Sequence, residues 1–404
     1  MSKESDIRPY SNVKSAKLMR AEHKGSAMTA TTEDISIILK SVEKFCRDKL
    51  PPDEVRRRDE GHVPPYDLLQ TMGEMGLIRL AVPESAGGLG LPWSVLCRVQ
   101  ERLAETAYFA ASILNRAISF GVKPLVMFGS DKQKQELIPR ILDGRLLIAL
   151  ALTEPGVGSD ARAVQSRAER SGNGWKIVGR KSWCSDAGGA GFMLALCRTP
   201  KEGERSLTAF LIPTDARGVS MTPLAKVGNN CMPSFDVGLD DVYVEDDSRL
   251  GDVGKGFKTV TGTLAYSRSC MSATAVGCAQ SAVDLAIAYA KERVQFGQPI
   301  AQFQVIKHRL VDMAMEVKKA RLLVYELAKA IEEDGDLGPL PAMAKIAATE
   351  ALQFVTNHGM QILASAGYAM ESPMQRMWRD ARLYTFGEGT NEIQREIIAK
   401  HLGL

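Results

Sequence analysis

The 404-residue chain is 45% hydrophobic and 25% charged, with a net charge of +3. That is enough chain for two or three domains with a sizeable core, and the composition argues against wholesale disorder. So small a net charge gives no reason to expect nucleic acid or an anionic membrane as partner. In chain order, residues 1–27 are polar and mixed in charge, without the apolar centre of a signal peptide. Arg8, Lys14, Lys17 and Arg20 would suit a transit peptide, but Glu4, Asp6 and Glu22 dilute that signal, and a disordered tail is expected. Residues 31–50 read as the first helix. Thr31 or Thr32 can cap it, and Ile35, Ile38, Leu39, Val42 and Phe45 recur at helical spacing. Helical patterning continues over 66–75, 95–107 and 131–142. It is interrupted at 86–90 by a glycine-rich connection that lacks the lysine and hydroxyl of a nucleotide-binding loop.

The texture changes near residue 150. The longest apolar run, 146–152, suits a buried strand or helix, and none approaches the roughly 20 residues that span a bilayer. Short β-type runs follow at 175–178, 192–197, 207–212 and 237–244, separated by turn signals such as Gly172-Asn173-Gly174 and Gly188-Gly189. They predict a small antiparallel sheet or barrel. From about Gly256 helices return. Ile306, Leu310, Met313, Val317, Ala320, Val324, Leu327 and Ile331 alternate at spacings of four and three, a seam for a helix bundle or a subunit contact. The expected fold class is therefore α+β, mainly α. The expected divisions are a tail at 1–27, a helical domain at 28–150, a β domain at 151–260 and a helical bundle at 261–404.

Seven single cysteines and five dispersed histidines form neither a C-x-x-C nor an H-x-x-x-H pair. That argues against zinc and against a disulfide framework, and for a reducing compartment. A bacterial cytoplasm is expected, with a mitochondrial matrix as the alternative.

Five segments carry candidate chemistry. Residues 152–160, Leu-Thr-Glu-Pro-Gly-Val-Gly-Ser-Asp, can present N–H groups and hydroxyls to a phosphate or a heterocycle edge, or form an ordinary turn. Residues 181–185, Lys-Ser-Trp-Cys-Ser, place a hydroxyl two residues after an aromatic, or simply bury Trp183 in a sheet. Residues 293–297, Arg-Val-Gln-Phe-Gly, set a fixed charge before a glycine turn, and it could grip a phosphate or face solvent. Residues 376–382 read as a charged helix. Residues 387–395, Gly-Glu-Gly-Thr-Asn-Glu-Ile-Gln-Arg, hold one carboxylate between two glycines. The glycines permit close backbone approach, and burial would raise the carboxyl pKa toward that of a useful general base.

In this order and spacing the segments resemble the acyl-CoA dehydrogenase family of flavoproteins, over nearly the whole chain from residue 31. The resemblance implies FAD, oxidation of an acyl-CoA thioester to the trans-2-enoyl-CoA, and electron-transfer flavoprotein as acceptor. It also implies a helical N-terminal domain, a middle β domain and a C-terminal four-helix bundle, in a homotetramer or homodimer, with no membrane insertion. By that resemblance Glu388 is the catalytic base, taking the α proton as hydride leaves the β carbon for flavin N5. Thr153, Gly158, Ser159, Trp183 and Ser185 would contact the flavin side, with Ser159 also near CoA. Arg293, Phe296, Gln304 and Gln361 would contact the pyrophosphate and adenosine part of an FAD. Thr390 and Glu392 would follow the base along the flavin, while Gly389 and Arg268 would shape the thioester site.

Two departures stand out. The family's glycine pair after Gln-Ile-x is replaced by Ala364 and Ser365, which puts the adenosine contact in question. The helix that carries the base in some members offers only Ser267 and Arg268 here, so Glu388 is the sole candidate base. In the acyl-pocket helix, Asn115 and Arg116 interrupt an apolar run. A buried charge needs a partner: Arg116 would meet a substrate carboxylate or polar tail, or else pair with protein or face solvent. Enoyl-CoA reduction, oxygen-using flavin chemistry and a catalytically silent assembly role are the competing functions.

Overall fold

The computed structural model describes residues 31–200 and 206–404; the tail expected at 1–27 lies outside them. The first helix, α1 (Thr32–Lys49), starts where the sequence offers a cap. The Thr31 hydroxyl accepts the Asp34 N–H at 3.1 Å, and the Asp34 carboxylate accepts the Thr31 N–H at 2.9 Å. Such a reciprocal cap contributes about 1 kcal/mol. Then come α2 (Pro52–Glu60), α3 (Tyr66–Glu74), α4 (Trp93–Thr106) and α5 (Tyr108–Asn115). A π-helical stretch (Arg116–Val122) leads into α6 (Lys123–Phe128) and α7 (Asp131–Leu142).

The apolar run at 146–152 resolves as a strand, β1 (Ile148–Ala151). With β2 (Arg167–Ser171), β3 (Gly174–Ser185), β4 (Phe192–Thr199), β5 (Ser206–Pro213), β6 (Val219–Pro223) and β7 (Ser234–Glu245) it forms a seven-stranded sheet. The sheet is mixed rather than wholly antiparallel, because β4 takes both β1 and β2 as parallel neighbours. Those two connections cross over instead of turning tightly, which the alternation of short β runs does not reveal. β3 also runs seven residues past the predicted 175–178, and its pairing with β7 slips between Lys181 and Cys184. An extra residue in one strand bends it and re-aims its side chains.

The spine of the molecule is α8 (Gly256–Glu292). It is long and apolar enough to cross a membrane by composition alone, yet 72% of its most apolar window is buried inside the protein. It packs on α4, on α9 (Gln304–Glu332) and on α10 (Leu340–Leu363). A Cβ at Gly277 would stand 2.2 Å from the Glu101 carbonyl, so only glycine allows α8 to come so close to α4. The hairpin β8 (Val294–Gln295) and β9 (Gln298–Pro299) projects between α8 and α9. The predicted seam on α9 buries Met313, Val317, Ala320, Val324 and Leu327, and half-buries Ile306, Leu310 and Ile331. The short α11 (Ser365–Tyr368), α12 (Pro373–Tyr384) and α13 (Asn391–His401) complete the chain. One continuous apolar core links the helices to the sheet, and the α12–α13 loop lies where these layers meet.

Candidate active site

Glu388 occupies the loop between α12 and α13. Its own backbone is left-handed (φ 56°), and Gly389 follows at φ 94°. Of the two flanking glycines, Gly389 is the one whose geometry demands glycine: a Cβ there would sit 2.8 Å from the Gln394 amide nitrogen. A glutamate at positive φ is strained by about 1 kcal/mol or more and persists only where its surroundings impose it. Those surroundings centre on Lys345 of α10, which is fully buried. Its ammonium donates to the Thr385 carbonyl at 3.1 Å, the Gly389 carbonyl at 3.1 Å and the Asn391 side chain at 2.7 Å. Arg268 donates to the Glu388 carbonyl at 3.1 Å, and Thr390 caps α13 through the Ile393 N–H at 3.2 Å.

The Glu388 side chain faces a cavity shared by three parts of the chain. Ser112, Asn115 and Arg116 come from the helical domain, and Ser185, Lys226, Asn229, Met232 and Ser234 from the sheet and its loops. Met271, Thr274, Leu383 and Tyr384 come from the C-terminal helices. The Ser267 hydroxyl donates to Glu388 Oε1 at 2.6 Å, while Oε2 is buried with no partner among the described residues. Burial pushes the Glu388 pKa upward; the Ser267 hydrogen bond and the charges of Arg268, Arg116 and Lys345 oppose it. Behind Ser267 a short relay continues. The Asn115 amide donates to the Ser267 hydroxyl at 3.4 Å, and Ser119 donates to the Asn115 oxygen at 2.6 Å. Lys345 is itself depressed to about 8, mainly by burial. Its three partners are all acceptors, which suits the charged ammonium.

The bulge in β3 decides the fate of Trp183. At φ 56° and 49% exposed, it points out of the sheet rather than into the core. Ser185, two residues on, lines the cavity beside Glu388 and sits 3.2 Å from the Ser234 hydroxyl. The neighbouring loop is held by a buried ion pair. Lys181 reaches the Glu154 carboxylate at 2.8 Å, and that carboxylate also accepts the Gln165 and Ser166 N–H groups at 2.5 and 2.9 Å. The Thr153 carbonyl accepts the Ser182 N–H at 2.8 Å, so the two segments form one platform. Gly158 and Ser159 are exposed on it, with open space around Gly158. The Ser185 and Ser234 hydroxyls and the orphaned buried oxygen of Glu388 line one cavity, and the exposed Trp183 stands two residues from Ser185 outside it; these groups fit a flavin ring with a thioester beside it.

The remaining candidates lie elsewhere. Arg293, Phe296, Gln304 and Gln361 are exposed, and Phe296, 92% exposed at φ 51°, stands at the tip of the β8–β9 hairpin. None of these four lines the Glu388 cavity within this chain. Glu392 is exposed on the first turn of α13. Ala364 takes φ 52° and ψ −131°, a conformation that glycine adopts readily and alanine does not. Arg116 both faces the cavity and pairs with the Asp186 carboxylate, so the protein-partner alternative holds at least in part.

Sequence reasoning missed Lys345, Asp186 and Lys226, and named Ser267 only as a non-carboxylate. Lys345 left a trace, being a lone charge among Ala342, Ala344, Ile346, Ala347 and Ala348. Asp186 and Lys226 left none, because the residues around them are distant in sequence.

Three domain descriptions match the chain in order. They are acyl-CoA dehydrogenase N-terminal domain over residues 32–145, middle domain over 149–242 and C-terminal domain over 254–403. The chain belongs to the acyl-CoA dehydrogenase family. It is thereby an oxidoreductase of CH–CH groups. Glutaryl-CoA dehydrogenase of Desulfococcus multivorans is 35% identical over 374 residues, covering 91% of this chain and 96% of that protein. The human mitochondrial short-chain specific acyl-CoA dehydrogenase is 33% identical over 372 residues, covering 92% and 90%. The structure of butyryl-CoA dehydrogenase from Megasphaera elsdenii superposes with a TM-score of 0.88 at 30% identity, covering 93% and 99%.

Proposed function

We propose that this protein catalyses FAD-dependent α,β-dehydrogenation of an acyl-CoA thioester, with Glu388 as the base. The observation that carries the reading is the buried, unpartnered Glu388 Oε2, in one cavity with the Ser185 hydroxyl. Bound FAD would supply the acceptor for the hydride leaving the β carbon. The rest is work for this chain's own groups. Trp183, Thr153, Gly158, Ser159 and Ser185 would seat the ring system, with Thr390 and Glu392 along its edge. Glu388 takes the α proton onto Oε2, which is free to receive it, while Ser267 fixes the carboxyl rotamer through Oε1. A raised carboxyl pKa makes Glu388 a stronger base once ionised, and the proton it removes is weakly acidic. The Glu388 N–H, on a left-handed residue next to Gly389, is suited to polarise the thioester carbonyl and stabilise developing enolate charge. Arg268 clamps that residue's carbonyl, so it shapes the site without reaching into the chemistry.

Arg293, Phe296, Gln304 and Gln361 would serve the adenosine half of an FAD in a second copy of the chain. That role suits their exposure and their distance from the cavity. A homotetramer or homodimer is the corresponding assembly, and electron-transfer flavoprotein the corresponding electron acceptor. Arg116 would meet a functionalised acyl chain. The test is anaerobic addition of a panel of acyl-CoA thioesters to the yellow holoenzyme, followed by electron-transfer flavoprotein. Bleaching by at least one saturated thioester, with electrons passed on, is expected; no bleaching by any would contradict the reading.

A further inference from the structure

Helix α5 and the π-helical stretch after it carry many fully buried apolar residues, among them Ile113, Leu114, Ala117 and Ile118. A chain of polar side chains nevertheless runs through this packing toward the base. It starts at Gln100 of α4, which is fully buried. In the amide orientation that satisfies both its atoms, the Gln100 nitrogen donates to the Ala111 carbonyl at 2.8 Å, and its oxygen accepts the Asn115 N–H at 3.2 Å. Those are the two groups that a regular α-helix joins to each other, i to i−4. Gln100 therefore inserts an amide at the last step of α5. A side chain inserted in this way is a recognised cause of helix distortion, and the π-helical stretch begins at the next residue, Arg116. The wedge is firmly held. The adjacent Glu101 carboxylate accepts from Arg321 at 2.7 Å and from the Tyr325 hydroxyl at 3.1 Å, and Gly277 of α8 packs directly on the Glu101 carbonyl.

Asn115 stands at that junction and passes the arrangement on. Ser119 donates to the Asn115 side-chain oxygen at 2.6 Å, which fixes the way the amide faces. The amide nitrogen then spans the Ser267 hydroxyl at 3.4 Å and the Ser267 carbonyl at 3.5 Å, both long contacts. The Ser267 hydroxyl in turn donates to Glu388 Oε1 at 2.6 Å. A serine inside a helix can turn its hydroxyl back on the carbonyl four residues earlier, here that of Thr263. With an amide N–H directed at the Ser267 oxygen, the O–H is left for Glu388. Burying such groups in hydrocarbon is costly unless each is paired, and here the pairing ends on the carboxylate. π-Helical turns also recur at functional sites.

We propose that Gln100 and Asn115 are positioning residues for the Glu388 base. Gln100 opens the helix at Asn115, and Asn115 keeps the Ser267 hydroxyl aimed at Oε1, so that Oε2 is presented to the substrate. Both act through Ser267. This rests on the dehydrogenase reading and deepens it. The charged groups facing Glu388 come from other elements: Arg268 of α8, Arg116 of the π-helical stretch and Lys345 of α10, with the Cys270 thiol of α8 also near. Arg116 is next to Asn115, so a shift carried by its charge must be told apart from one carried by Ser267.

The experiment records pH profiles of kcat/KM on the FAD-loaded enzyme for Gln100→Met, Asn115→Ala and Ser119→Ala, each alone and combined with Ser267→Ala. Gln100→Met keeps the volume and removes both amide bonds. Alone, each change should move the ascending limb to higher pH by about half a unit to one unit, the scale set by weakening a hydrogen bond to a charged group. In the Ser267→Ala background the same changes should move it no further. Ser119→Ala removes a single oxygen, so the test stands even if the other two variants fail to fold. A limb unmoved by every variant that folds, or moved as far without Ser267 as with it, overturns the proposal. Infrared titration of the Glu388 carboxyl in the holoenzyme without thioester, identified by its loss in Glu388→Gln, repeats the comparison without turnover. The predicted shifts in an enzyme that bleaches with no thioester keep the positioning of Glu388 and remove the dehydrogenase reading. Turnover by the natural enzyme, with a carboxyl titration that no variant moves, removes the positioning role alone.

Discussion

Among single residues, one carboxylate is governed by what surrounds it. Glu388 is held up in pKa by burial and held down by the Ser267 hydrogen bond and three nearby cations. It must be ionised to accept a proton, so kcat/KM should rise with pH through its pKa in the free enzyme, with the ascending limb above the ordinary glutamate value of 4.5. Ser267→Ala removes an interaction that favours the ionised form. The limb should therefore move to higher pH, measured from pH profiles of kcat/KM on the FAD-loaded enzyme. A limb that stays in place or moves lower would show that Ser267 does not tune the base. The glycine-flanked carboxylate was legible in the sequence, as was its lack of a rival near Arg268. Ser267 as its hydrogen-bond donor was not, because 121 residues separate the two and no local pattern joins them.

Individual elements show where local strain is placed and what opposes it. Lys345 ties α10 to the Glu388 loop through three acceptors. Lys345→Met keeps the volume but removes three charge-assisted hydrogen bonds, leaving the Thr385 and Gly389 carbonyls and the Asn391 oxygen with one other donor each. It should cost about 2 kcal/mol of stability and lower kcat more than it weakens FAD binding, as read by denaturant unfolding and single-turnover bleaching. The end of α10 carries strain with no such compensation. Ala364 sits at φ 52° and ψ −131°, where the family resemblance expects glycine. Ala364→Gly should raise stability by about 1 kcal/mol in thermal unfolding, since relief of strain exceeds the entropy gained by the unfolded chain. A neutral or destabilising result would mean that the surrounding turn prefers alanine. Helix periodicity gave α1, α7 and the seam of α9 from sequence, because buried residues there recur at fixed intervals. The mixed pairing of β4 and the bulge at Trp183 did not follow, since neighbour choice and register are tertiary properties.

For the whole molecule, the question is what lies beyond one chain. The Glu388 cavity draws its wall from all three layers, whereas Phe296 stands 92% exposed on a hairpin that touches none of it. A large aromatic so placed on a single chain is understandable if it meets another copy. Phe296→Asp should weaken self-association in sedimentation and speed loss of FAD on dilution. Unchanged assembly and FAD retention would confine the cofactor contacts to one subunit. Domain order and class were legible because composition and spacing change along the chain. The composition of the cavity wall was not, because the residues that line it meet only in three dimensions.

The central claim is that Glu388 starts an acyl-CoA dehydrogenation. Anaerobic mixing of a saturated acyl-CoA with the yellow enzyme, followed by absorbance, tests it most directly. The natural enzyme should bleach with at least one thioester, and Glu388→Gln should retain FAD while bleaching at least about a hundredfold more slowly. Undiminished bleaching by Glu388→Gln would contradict the account.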